Sequence, residues 1–184
     1  MGTRLYFTAS DSASGNELWA YETTNATAWL VFDINPSGNS NPESLTVLNS
    51  SIYFIAYTST TGYHYLWEHN TTNGSTANLS DVSFLRPGWT SAISSYFSRI
   101  AVYDDYLYVT DFNGILHGYS PSNRTLWEVG PSGSPMTFDQ AFSLQTVGDQ
   151  IIIRTALTVD LTGSRSELWI YSPMNDSSWK LPIT

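Results

Sequence analysis

The chain has no cysteine and one lysine, Lys180, in 184 residues. Without thiols there is no disulfide framework, no thiolate zinc or iron–sulfur site and no cysteine nucleophile. Charge is scarce as well: Asp, Glu, Lys and Arg make up 12% of the residues, about half the usual share. What charge there is leans to one sign, with seven Lys+Arg against sixteen Asp+Glu and a net charge of −9. A phosphate backbone is repelled by such a surface, so nucleic acid is not an expected partner. No window approaches the roughly 20 apolar residues of a membrane-spanning helix, and residues 1–7 hold no leader-like apolar run. An export signal, if the protein has one, lies outside this numbering.

What the chain does have is aromatic residues, 15% of the total and seven of them tryptophan, and a phrase repeated four times. The clearest copies are Asn16-Glu17-Leu18-Trp19-Ala20-Tyr21 leading to Asn25 and Trp29, and Ser166-Glu167-Leu168-Trp169-Ile170-Tyr171 leading to Asn175 and Trp179. The intervals from Trp to Asn to Trp are six and four residues in both. In the other two copies His117 stands at the first tryptophan position of the third, and Ala77 at the second tryptophan position of the second.

Upstream of each phrase lies a short β-branched or aromatic run: Leu5-Tyr6-Phe7, Ile52-Tyr53-Phe54, Leu107-Tyr108-Val109 and Ile151-Ile152-Ile153, spaced by 47, 55 and 44 residues. Three of these follow a polar tight turn (Asn49-Ser50-Ser51, Asp104-Asp105-Tyr106, Gly148-Asp149-Gln150), and before each turn is another strand-like run, at 44–48, 98–103 and 142–147. Run, turn and run predict a β-hairpin, the tryptophan strand a third strand, and the segment after the Asn turn a fourth. A four-stranded antiparallel repeat of about 45 residues is the pattern of a propeller blade. The expectation is an all-β chain: one β-propeller domain over 1–184, with four antiparallel four-stranded blades at about 1–40, 41–90, 91–138 and 139–184. The first blade lacks its inner strand, since the chain opens on Gly2-Thr3-Arg4, the remains of a turn. Either the numbered chain is a fragment, or a neighbouring subunit donates the strand. Trp19, Trp29, Trp67, Trp127, Trp169 and Trp179 are then blade-packing residues, each flat ring able to bury on the order of 150–250 Å² between blades.

The residues from Glu167 through Asn175 and Trp179 to Pro182, and more loosely Asn16 to Leu30, resemble the kelch family of propellers. Glu17-Leu18-Trp19 with the following Val31 to Pro36 also resembles the ELW repeats of large microbial surface proteins. The double glycine that ends the second kelch strand is absent here, where Tyr6 to Ala9 and Tyr53 to Ala56 stand instead. The resemblance implies a propeller fold, and a fold does not fix a function. Copper radical enzymes built on kelch propellers need a cysteine that this chain lacks.

The functional signal in the sequence is glycosylation. Asn-x-Ser/Thr occurs at Asn25, Asn49, Asn70, Asn73, Asn78, Asn123 and Asn175, and four of these (Asn25, Asn73, Asn123, Asn175) hold the same place in the four repeats. Asparagine suits a left-handed turn, which would explain the Asn without the hydroxyl two residues later. A hydroxyl in every copy favours real N-linked glycans and so an extracellular or cell-surface protein.

Other chemistry is thin. Asp104-Asp105 reads as a turn, Asp11 to Glu17 has oxygen ligands without calcium-loop spacing, and His64 and His69 are an odd number apart on one strand, so they face opposite sides. No phosphate loop, serine elbow or zinc-helix motif is present. The expectation is a non-enzymatic structural protein with no cofactor beyond covalent glycans, a building block of a surface filament, coat or adhesin assembled from copies of itself. The alternative is a carbohydrate-binding lectin using Tyr21, Tyr119, Tyr171 and Trp89. A hydrolase would need a pair of facing carboxylates.

Overall fold

A computed structural model describes residues 2–79, 100–111, 114–130, 135–138, 141–156 and 166–182. The described secondary structure is strand and turn. The chain divides into two compact units, 1–88 and 89–184, and each holds two antiparallel sheets.

In the first unit, β1 (Arg4–Asp11), β2 (Gly15–Glu22) and β3 (Thr27–Phe32) form a three-stranded sheet in chain order. β4 (Glu43–Leu48), β5 (Ser51–Thr58), β6 (Tyr63–Asn70) and β7 (Thr76–Asn78) form a four-stranded one, also in chain order. The second unit repeats the four-stranded pattern twice, in β8 (Ile100–Tyr103), β9 (Tyr106–Thr110), β10 (Leu116–Ser120) and β11 (Thr125–Glu128), then β12 (Ala141–Val147), β13 (Gln150–Ala156), β14 (Ser166–Ser172) and β15 (Ser177–Leu181). The three-strand count of the first sheet matches the expectation of a blade without its inner strand. The connector at 81–90, Trp89 with it, lies outside the described residues.

The hairpin turns explain why the short polar clusters fall where they do. Asn49, Asp104 and Gly148 each open a two-residue turn with φ of +55°, +54° and +61°, the positive φ that tight hairpins require. Gly2, at +59°, holds the corresponding place before β1.

Registry then brings equivalent residues together. Phe7 pairs with Trp19, Phe54 with Trp67, Val109 with His117 and Ile153 with Trp169. Because strand side chains alternate between faces, each second strand sends one set of residues to one face and the next set to the other. In the first unit Ile52, Phe54, Ala56, Tyr65 and Trp67 of the second sheet pack against Leu18, Tyr6 and Val31 of the first. In the second unit Ile151, Ile153, Tyr171 and Trp169 pack against Ala101, Tyr108 and Trp127. Leu18, Phe54, Ile151 and Ile153 are fully buried, each contributing roughly 1.5–3 kcal/mol. Burial pushes the Tyr108 hydroxyl up to about 12, and raises that of Tyr171, which donates to Asp176 at 3.0 Å.

The tryptophans differ in burial. Trp67, Trp127 and Trp169 lie in or against the cores, and the Trp127 ring lies across Gly118, where a Cβ would come within 2.2 Å of the indole. Trp19 is partly exposed. Trp29 and Trp179, expected as blade packing, are 37% and 39% exposed. They sit on β3 and β15, outermost strands of their sheets, as Trp127 does on β11. Trp29 instead carries the Arg4 guanidinium 5.7 Å from its ring centre, a cation–π contact.

The two sheets of the first unit are also stitched by a polar latch. Glu17 is fully buried, and its carboxylate accepts from Ile34 N at 3.0 Å, Ser40 N at 2.8 Å and the Ser40 hydroxyl. Ser40 O in turn accepts from Tyr57 N at 2.8 Å, and Asn35 Oδ1 accepts from Ser59 N and Oγ. Burial pushes the Glu17 pKa up while these hydrogen bonds pull it back. Asp11 is occupied separately, capping Ala13 N and Ser14 N at 2.9 and 2.7 Å. The oxygen atoms of 11–17 that resembled calcium ligands are thus spent on two different local structures.

All three partners of Glu17 are donors, so Glu17→Gln turns an amide N–H onto one of them and strands a buried backbone group. Urea unfolding should show a loss of about 1–3 kcal/mol. Glu167, at the same repeat position, pairs with the half-exposed Lys180, and Glu167→Gln should cost about 0–1 kcal/mol.

Candidate functional site: the asparagine turns

Each tryptophan strand ends in a short hairpin loop, and in all four the third loop residue is the repeat asparagine. The loops are 23–26, 71–75, 121–124 and 173–176, joining β2 to β3, β6 to β7, β10 to β11 and β14 to β15. Asn25, Asn73, Asn123 and Asn175 are all exposed. The left-handed residue is not the asparagine, as its turn propensity suggested, but the one after it: Ala26 at φ +57°, Gly74 at +74°, Arg124 at +56° and Asp176 at +49°. Glycine, which takes this conformation without strain, is used in one copy of four.

The asparagine side chain does something else. Asn25 Oδ1 accepts from Thr27 N at 3.2 Å and Thr27 Oγ1 at 2.6 Å. Asn123 Oδ1 accepts from Thr125 N and Oγ1 at 3.2 and 2.7 Å. Asn73 Oδ1 takes Ser75 N at 2.9 Å, and Asn175 Oδ1 takes Ser177 Oγ at 2.6 Å. In three copies the hydroxyl two residues on is therefore a structural partner of the amide, which is a reason for its presence beside any modification. The same geometry spends the oxygen and leaves these bonds clear of Nδ2, the atom a glycan would be joined to.

The remaining sequons are placed differently. Asn49 is exposed, but it holds the positive-φ corner of the β4–β5 hairpin, and its Ser51 is buried and donates to Glu68 at 2.6 Å. Asn70 is half-buried, with Oδ1 capping Thr72 N and Asn73 N. Asn78 lies on β7 opposite Trp67, and its Ser80 is outside the described residues.

Electrostatics tie the first turn to β1. Glu22, the residue before the loop, accepts from Thr24 N and Oγ1 at 3.3 and 3.0 Å and from Arg4 Nε at 3.2 Å. Hydrogen bonds from Thr3 first, then from Thr24 and Arg4, hold its carboxyl down to about 2.

The other singled-out residues have structural partners. His69 is buried, with Nδ1 2.9 Å from Thr76 Oγ1 and its ring 5.4 Å from Tyr6; burial, then the charge of Arg4, lowers its pKa. His64 packs on Tyr57 at 5.3 Å. His117 Nε2 lies 3.2 Å from Asp111, whose other oxygen caps Ile115 N. Tyr119 and Tyr171 are 2% and 4% exposed, so neither offers the open ring face that sugar stacking needs. Tyr21 is partly exposed. The latch of Glu17 and the left-handed residue after each Asn were not foreseen; the Asn- and Ser-rich stretch 35–41 was the sequence signal for the first, and the loop length of four or five residues for the second.

Solved structures share the fold. TolB from Acinetobacter baumannii is similar over 99% of this chain and 41% of its own, at 11% identity and a TM-score of 0.60. A puromycin hydrolase S511A mutant complexed with PGG is similar over 97% and 27%, at 16% and 0.65. The β-propeller domain of the Trilobed protease from Pyrococcus furiosus is similar over 98% and 53%, at 13% and 0.55. The chain has a β-propeller fold. It spans from about a quarter to about half of these proteins, and at such identities the likeness is one of fold alone. No protein-family model matches the chain, and no curated protein does.

Two outcomes test this geometry. Ala26→Gly should relieve the left-handed strain and raise unfolding stability by roughly 0.5–1 kcal/mol, while Gly74→Ala, which meets no atom within 4 Å, should lower it by a similar amount. For Glu22 the folded pKa lies below the ordinary 4.5, so its contribution is complete above pH 4.5 and is lost as pH falls toward 2. The thermal midpoint should drop across that window, and drop less in Glu22→Gln.

Proposed function

We propose that this chain is a non-enzymatic, N-glycosylated extracellular structural protein, a propeller module used as a building block of a surface filament, coat or adhesin. The observation that carries the reading is the fourfold recurrence of one exposed turn, with asparagine, a left-handed residue and a hydroxyl in the same order each time. The acidic, lysine-poor composition fits a solvated coat, and the ELW-like and kelch-like character of the repeats fits the same setting.

Self-assembly is the second part of the proposal. Among the described residues β1 is an edge of its sheet, with a row of backbone groups open to a donated strand. The lectin reading is weaker, because Tyr119 and Tyr171 are inside the protein.

Peptide mapping of native material after enzymatic glycan removal in heavy-oxygen water tests the first part. Asn25, Asn73, Asn123 and Asn175 should convert to labelled aspartate, and Asn49, committed to its turn, should remain asparagine. Unmodified asparagine at all four turns would overturn the proposal.

A further inference from the structure

One position of the repeat carries a tyrosine in three copies and a histidine in the other. Tyr21, Tyr119 and Tyr171 stand two residues after Trp19, His117 and Trp169, and His69 stands two residues after Trp67. In each unit the residue at this place on the later sheet meets a tyrosine of the sheet before it. The ring of His69 is centred 5.4 Å from that of Tyr6 in the first unit, and the ring of Tyr171 is 5.9 Å from that of Tyr108 in the second. Tyr6 and Tyr108 follow Leu5 and Leu107 at equivalent places, so one contact closes both seams with different chemistry. Burial moves the Tyr171 phenol up, and it stays neutral throughout the acid range. An imidazole, with an ordinary value of 6.5, takes a proton in mild acid.

The surroundings of His69 are poorly suited to a second positive charge. The residue is 6% exposed. Its Nδ1 lies 2.9 Å from Thr76 Oγ1, a hydroxyl that can donate or accept and so serves either form of the ring. On β1 the groups facing it are Tyr6 and Arg4, whose charge opposes protonation. On β2 the carboxylate beside them, Glu22, is already bound to Arg4 at 3.2 Å. β5, which pairs with His69 through Ile52, turns apolar residues to this face, and β7 and the loop 71–75 contain no charged residue. On β6 itself Glu68 points to the opposite face, where it accepts from Ser51 and Tyr53.

We propose that the contact of Tyr6 with His69 is an acid-sensitive catch between the two sheets of the first unit, closed while the imidazole is neutral and released when it takes a proton. The protonated ring is a buried cation beside Arg4, and the nearby carboxylate is already engaged. What loosens is the end of the seam where the loops 23–26 and 71–75, with Asn25 and Asn73, leave their strands. The folded ring titrates below 6.5, so the catch is fully closed above pH 6.5 and is lost as the pH falls through the folded midpoint. Opening becomes about tenfold more favourable for each unit by which that midpoint lies below 6.5. The catch needs neither glycans nor assembly and stands or falls apart from the proposed function.

Two measurements on the full chain test it. Proton NMR of the imidazoles, with His69 assigned by its disappearance in His69→Tyr, should give a His69 midpoint below 6.5. Hydrogen exchange, corrected for the intrinsic amide rate at each pH, should show β1 and β6 losing protection between pH 6.5 and 4.5 by the factor that midpoint sets. In the same sample β9 and β14, closed by Tyr108 and Tyr171, should keep theirs. His69→Tyr gives the position the side chain of the other three copies and should hold β1 and β6 protected across the interval. His69→Gln, which does not titrate and keeps a partner for Thr76, takes its place if that variant does not fold. Arg4→Gln should raise the midpoint and shrink the loss. A His69 midpoint at 6.5 or above, or an equal loss of protection in β1 and β6 without the imidazole, would overturn the catch.

Discussion

Everything in this structure depends on one contact, the face of one twisted antiparallel sheet against the face of the next. A strand buries a face only where another sheet lies against it, and the period of two along β5 and β13 shows how this is met within each unit. Alternate residues go to opposite faces, and those turned to the neighbouring sheet of the same unit, Phe54 and Ile153 among them, are without solvent contact. Burial at this density, in strands of three to eight residues, supplies the stability that a chain with no disulfide, and with few ion pairs among the described residues, must find elsewhere. Sheet edges and loops are then free to vary, which is where the asparagine turns and the polar latch of Glu17 are found.

The legible part of the fold was the part written in short-range pattern. The apolar triplets, the turn clusters beginning at Asn49, Asp104 and Gly148, and the tryptophan strands all fall in the elements expected of them, because alternation and tight-turn stereochemistry act over a few residues. The fate of individual tryptophans was not legible. Trp29 and Trp179 hold the same repeat position as Trp127, which packs against the core of the second unit, and repeat spacing does not encode which of the three rings is covered. The role of Glu17 was not legible for a similar reason: its partners, Ile34 and Ser40, come from a loop some twenty residues away.

The asparagine turns illustrate how one motif can satisfy two demands. The side-chain oxygen closes the turn on the following hydroxyl, and the residue between them is held left-handed at some conformational cost. Glycine, which takes that conformation without strain, stands there in the second repeat alone. Asn-x-Ser/Thr is present in all four. The fold likeness to TolB, to a puromycin hydrolase and to the propeller domain of a protease does not bear on what these turns do, since propellers serve many functions.

The sheet-on-sheet contact is tested most directly by a double-mutant cycle on Tyr108 and Tyr171, whose rings meet across the seam of the second unit at 5.9 Å. Unfolding free energies of Tyr108→Leu, Tyr171→Leu and the double variant should give a coupling of about 0.5–1.5 kcal/mol. Strictly additive losses would mean that the two faces do not touch there, and would contradict the account.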